Sequence, residues 1–153
     1  MLQVSRRVEY ALRAVICLAR EQRSEPLSFK AIAEIESIPP DYLAKILRTL
    51  GAAGIVNATR GASGGYELAI APEQLSFLDV IEAAEGRIAL NLCTDSGEGC
   101  AHNANCTMAL VWRAGERAMT DVFRRTRISD LVCAPLNLVR LEADFAVPTS
   151  VGS

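Results

Sequence analysis

The chain has 153 residues, half of them apolar but only 5% aromatic, so it has length for one good core and calls for packed helices of Leu, Ile, Val and Ala. Arg13 and Arg20 interrupt the first helical pattern and Arg113, Glu116 and Arg117 the last. No apolar run therefore reaches membrane-spanning length; with no apolar signal segment at the start, an intracellular, cytoplasmic protein without a membrane partner is expected. The net charge of −2 hides an asymmetry, because residues 1–72 hold nine Lys or Arg against seven Asp or Glu (+2) and residues 73–153 hold seven against eleven (−4); a polyanion would meet the first half.

From Ser5 to about Glu21, Val8, Leu12, Val15, Ile16 and Ala19 recur at helical spacing with arginines on the other faces, which predicts an amphipathic helix. Cys17 reads as a buried core thiol. Glu9, on the helix pattern alone, reads as a solvated carboxylate. Ser28 is placed to cap a second helix, Phe29 to about Glu36, with Ile32 and Ile35 facing inward. After Ser37-Ile38-Pro39-Pro40, a third helix runs from Asp41 to about Ala52, burying Leu43, Ile46, Leu47 and Leu50 and leaving Asp41, Tyr42, Lys45, Arg48 and Thr49 outside. Two short helices joined by a tight turn match a helix-turn-helix, although a plain helical hairpin has the same pattern.

Ile55 to Ala58 and Tyr66 to Ile70 read as strands around Thr59-Arg60-Gly61-Ala62-Ser63-Gly64-Gly65. Three glycines suit a narrow hairpin tip, and Arg60 gives it a charge for phosphate or a minor groove. A nucleotide-cradling loop would instead lead into a helix N-terminus with a Lys-Ser/Thr pair. Ser76 and Asp79 open a further helix, Phe77 to Glu85, which Gly86 ends. The longest pattern runs from Cys106 to about Arg127, with Leu110, Val111, Ala114, Ala118, Met119, Val122 and Phe123 apolar. One helix cannot bury such a stripe alone, so packing against its twin in a homodimer is expected, presenting two recognition helices to a palindromic double-stranded DNA operator. Ser129 to Cys133 reads as a last short turn, with Cys133 a weak ligand candidate.

Between these helices lies LCTDSGEGCAHNANC, which gathers Cys93, Cys100, Cys106 and the sole histidine, His102. Structural zinc usually takes its ligands from closely spaced pairs, whereas the gaps here are six and five residues. Wide gaps suit an iron-sulfur cluster, which accepts a fourth ligand other than cysteine. Zinc and metal-free thiols remain alternatives; disulfides fit poorly with five cysteines and an intracellular chain.

Taken together, VSRRVEYALRAV, AEIESIPPDYLAKILRTLGAAGIV, the wing RGASGGYELA with LDVIEAAEG, the three-cysteine loop and ISDLV resemble the IscR/NsrR/RirA-type family of bacterial iron-sulfur winged-helix transcription regulators, over about residues 1–133. The resemblance implies a mainly α fold with a small β-wing: a winged helix-turn-helix DNA-binding domain (1–86), a cysteine-rich cluster-binding loop (87–105) and a dimerisation helix with a short last turn (106–133); beyond it the chain is a poor fold former after Pro135, and a flexible tail (134–153) is expected. It implies a regulator, more often a repressor than an activator, whose DNA affinity is controlled by a cluster sensing nitric oxide, redox state or iron. Cys93, Cys100 and Cys106 would hold that cluster, four-iron in preference to two-iron. IscR-like members take a histidine three residues after the last cysteine, where this chain has Ala109. NsrR-like members take an acidic residue of the first helix across the dimer, and Glu9 occupies that place, with His102 its competitor. The six-residue first gap is one longer than in either pattern. On the DNA side the resemblance points to Ser28, Asp41, Tyr42, Lys45 and Arg48, with Arg60 and Ser63 at the wing. The alternatives are a cluster-free thiol- or zinc-based regulator and, from another class, an electron carrier or enzyme using the cluster; no paired acid and base or nucleotide motif supports an enzyme.

Overall fold

The computed structural model describes residues 4–21, 25–61, 64–91 and 106–132. Helix α1 (Arg6–Arg20) is the strut on which most of the others rest. Ser5 starts it by accepting the Val8 amide at 3.2 Å, and Val8, Ala11, Leu12, Ala14, Val15, Leu18 and Ala19 face the core. Helices α2 (Phe29–Glu36) and α3 (Pro40–Ala52) cross it, joined through Ser37 in the left-handed region at φ 52°. That turn is held by the buried Ile38, whose amide donates to the Ala33 carbonyl at 3.1 Å. Pro40 stands in the first turn of α3, where a missing N–H costs nothing.

Strands β1 (Val56–Thr59) and β2 (Gly65–Leu68) pair antiparallel, with Val56 opposite Leu68 and Thr59 opposite Gly65. Leu27 adds a third line: its amide and carbonyl exchange bonds with those of Tyr66 at 2.9 and 2.8 Å. Gly65 lies under this crossing, and a Cβ there would stand 2.5 Å from the Leu27 carbonyl oxygen. Backbone cannot yield as a side chain does, so Gly65→Ala is expected to cost about 1–3 kcal/mol and to lower Tm by several degrees, measured by thermal melting. An unchanged Tm would mean the hairpin is free to slide away from Leu27.

Helix α4 (Phe77–Glu85) begins with a full capping box, Ser76 accepting from the Asp79 amide at 3.1 Å and Asp79 accepting from the Ser76 amide at 2.8 Å. Gly86 ends it at φ +89°. Helix α5 (Thr107–Arg125) meets α4 at its far end, where Phe77 and Phe123 pack with centroids 5.3 Å apart and the Phe77 amide donates to Thr126 at 2.9 Å. The chain then returns to the core through α6 (Ile128–Val132), with Ile128 wholly buried and its amide bonded to Leu75.

The mainly helical fold with one small hairpin is the one expected. Three details differ. Ile35, expected inside, is 53% exposed, because an eight-residue helix buries one narrow line and Ile32 fills it. The strands are shifted by one residue and shorter at the Ile70 end, since the Leu27 crossing sets their register. The last turn is a short helix; Cys133 lies outside the described residues. As expected, the chain's own core leaves the apolar stripe of α5 largely open: Leu110 and Val111 are 66 and 71% exposed, as is the adjacent Met108 at 65%, and the buried positions are Ala109 and Glu116. Among the described residues no helix is long and apolar enough to cross a membrane.

Candidate functional site

The helix-turn-helix presents one polar face. Because Leu43, Ile46, Leu47 and Leu50 turn inward, Asp41, Tyr42, Lys45 and Arg48 are all exposed on the outer side of α3. Tyr42 stands edge-on to Tyr10 of α1 at 5.9 Å, so its ring is steadied while half of it remains open. Thr49, expected outside, is half-buried: it donates to the Lys45 carbonyl at 3.0 Å and accepts from Arg7 at 3.1 Å, fixing α3 to α1. Ser28 does cap α2, accepting the Ala31 amide at 3.2 Å, and its side of the turn is solvent-exposed. Arg60 is exposed where the hairpin tip begins, and Gly64 closes the tip by donating to Gly61 at 3.0 Å. Ser63 lies outside the described residues.

Glu9 lies on α1 with two-fifths of its side chain open, between Arg6 and Arg13, each at 3.6 Å. Exposed pairs of this kind are worth about 0–1 kcal/mol, so the carboxylate is cheaply released to another partner. Arg13 also donates to the Glu36 carbonyl, the last residue of α2, at 3.3 Å. One side chain thus links Glu9 to the turn that precedes α3. Sequence patterning missed this link because Arg13 reads as one more surface charge.

Of the thiols, Cys106 is free and partly exposed at the N-cap of α5, where its side chain makes no capping bond. Cys93, Cys100 and His102 lie outside the described residues. Cys17 is the contrast. It is buried in α1, and burial, with Glu36 and Glu21 adding to it and Arg20 opposing, pushes its thiol up to about 11. At pH 8 about one molecule in a thousand would carry that thiolate. Alkylation with iodoacetamide is therefore expected to label Cys106 within minutes and to spare Cys17 until the protein is denatured, as read by mass spectrometry; rapid native labelling of Cys17 would contradict its place in the core.

Three thiols and one carboxylate or imidazole make a donor set suited to an iron-sulfur cluster, and the one loop thiol described, Cys106, is unpaired and accessible as a ligand must be.

A family model described as Rrf2, iron-dependent transcriptional regulator, matches residues 4–134. The HTH-type transcriptional regulator NsrR of Bacillus subtilis is 28% identical over 141 residues, covering 92% of this chain and 97% of that one. Among solved structures, CymR, the global cysteine regulator of B. subtilis, superposes with a TM-score of 0.73 at 30% identity over 86% of this chain and 97% of its own. IscR of T. potens superposes with a TM-score of 0.70 at 26% identity over 95% and 93%. The family is thus described as iron-dependent, whereas CymR is described as a cysteine regulator.

Proposed function

The chain belongs to the Rrf2 family of transcriptional regulators, and from that premise we propose that it is a homodimeric repressor whose grip on a palindromic operator is set by an iron-sulfur cluster held by Cys93, Cys100, Cys106 and the partner's Glu9. The family is one of DNA-binding regulators; the chain is not an enzyme.

The observation that carries the proposal is the double role of α5. Its first residue follows a free loop thiol, Cys106, while Val111, Ala114, Ala118 and Val122 recur along it on a face that the chain's own core leaves largely open. An event at the loop and the pairing of two chains would therefore be felt by one rigid element. A four-iron cluster, or a two-iron one, would supply a centre attacked by nitric oxide or oxidants and lost when iron is short. The chain's part is to hold and to transmit. Glu9, drawn from Arg6 and Arg13 to the neighbour's loop, would free Arg13 to hold the Glu36 carbonyl alone; the turn before α3 would feel the difference. His102, inside the loop, is the competing fourth ligand.

On DNA, α3 would enter the major groove with Tyr42, Lys45 and Arg48, Asp41 rejecting some bases as it accepts others, and Ser28 and Ser63 reaching phosphates beside Arg60 in the minor groove. Arg48→Ala is expected to cost about 1–3 kcal/mol on the operator and little on random duplex, whereas Arg60→Ala lowers the salt slope by about one. Fluorescence anisotropy over a salt series reads both. Equal losses of Arg48→Ala on operator and random DNA would overturn base reading by α3.

A thiol-only regulator is the second reading, favoured by the likeness to the cysteine regulator CymR. It predicts that metal-free protein responds fully to oxidation of the loop cysteines. Zinc in the same loop would give a colourless protein with no such response.

A further inference from the structure

Among the described residues Glu116 is the only charged one that is buried. A carboxylate out of water is costly unless it is hydrogen-bonded, and its partners lie in the segment that leads out of α4. The Leu90 amide donates to Oε2 at 3.2 Å, and the Arg87 guanidinium lies 3.7 Å from Oε1. The Leu90 side chain stands over the neighbouring Gly115, with Cδ1 3.8 Å from where a Cβ would be. Backbone and side chain of Leu90 are thus both seated on α5.

Leu90 precedes Cys93 by three residues, and Cys106 is itself the N-cap of α5. Both ends of the intervening loop are consequently tied to one helix. The anchors are Cys106 and Glu116, ten positions apart, or about 15 Å along the axis. Fixing the ends of a loop lowers the entropy lost when its side chains converge on one object.

We propose that Glu116 is a positioning residue: by holding the Leu90 amide on α5 it fixes where the cysteine loop leaves the helical body, and so presets Cys93 against Cys106. The role in cluster binding rests on the cluster reading above; the latch itself does not. Glu116→Ala removes the acceptor, Glu116→Gln retains one, and Glu116→Leu removes it while keeping volume should the alanine variant lose helix content.

In metal-free protein, hydrogen exchange at the Leu90 amide is expected to rise at least about tenfold in Glu116→Ala and to stay within about twofold of wild type in Glu116→Gln. In anaerobically reconstituted protein, iron release to a chelator should be about fivefold faster in Glu116→Ala, with Glu116→Gln again close to wild type. Unchanged exchange at Leu90 overturns the latch. Faster exchange with unchanged iron release overturns the positioning role, as does a glutamine variant that behaves like alanine. A wild-type protein that takes up no iron refutes the cluster reading alone, and the alkylation rates of Cys93 and Cys106 in metal-free protein then decide. Equal rates in wild type and Glu116→Ala overturn the proposal.

Discussion

Val111→Glu combined with Ala118→Glu is expected to split the dimer and to weaken operator binding at least about a hundredfold, or roughly 2.7 kcal/mol. Val111 is 71% exposed and Ala118 is also open, so neither change removes anything from the chain's own core. Across a two-fold axis each substitution appears twice, and like charges facing each other in an apolar interface cost several kcal/mol. A monomer also brings only one α3 to the DNA. Sedimentation equilibrium and anisotropy titration on the same protein would measure both effects, with thermal melting as the control for folding. A variant that remains dimeric and binds DNA as before would place the interface elsewhere.

Cys106→Ser is expected to reduce bound iron to background while raising, rather than lowering, the stability of the metal-free protein. Cys106 occupies the N-cap of α5 without making a capping bond, and serine is among the preferred residues at such a position, worth about 0.5–2 kcal/mol. A chain selected for stability alone would gain by the exchange. Retaining a thiol there fits a ligand, since thiolate is the group a cluster requires. Iron and sulfide assays, with denaturant unfolding of the metal-free form, test the two halves separately. Iron retained in the variant would remove Cys106 from the ligand set.

Much of the scaffold was legible in the sequence because its punctuation is local. Ser28 and Ser76 are caps, Gly86 marks the end of α4, and the stripe of Leu43, Ile46, Leu47 and Leu50 turns inward. What depends on residues distant in the chain was not legible. The Leu27 crossing that sets the hairpin register and the Arg13 contact with Glu36 have no spacing signature. Glu116 was read only as a charge interrupting an apolar run, whereas its burial comes from a backbone amide twenty-six residues away. The open face of α5 was legible as well, because an apolar stripe of that length is more than one chain can cover. Residue type and the gaps between cysteines pointed to a soft-metal site, whereas the ligand set, Glu9 included, is what the family resemblance implies; Cys93, Cys100 and His102 lie outside the described residues.

The most direct test is operator affinity measured on one anaerobic preparation before and after removal of its iron, with visible absorption, iron and acid-labile sulfide followed on the same sample. The expected result is a protein with broad sulfide-to-iron absorption whose affinity for the operator, but not for random duplex, changes at least about tenfold when the colour is lost, or about 1.4 kcal/mol. A colourless protein that stays colourless after reconstitution, or one whose operator affinity is the same with and without iron, would contradict the cluster as the controlling element.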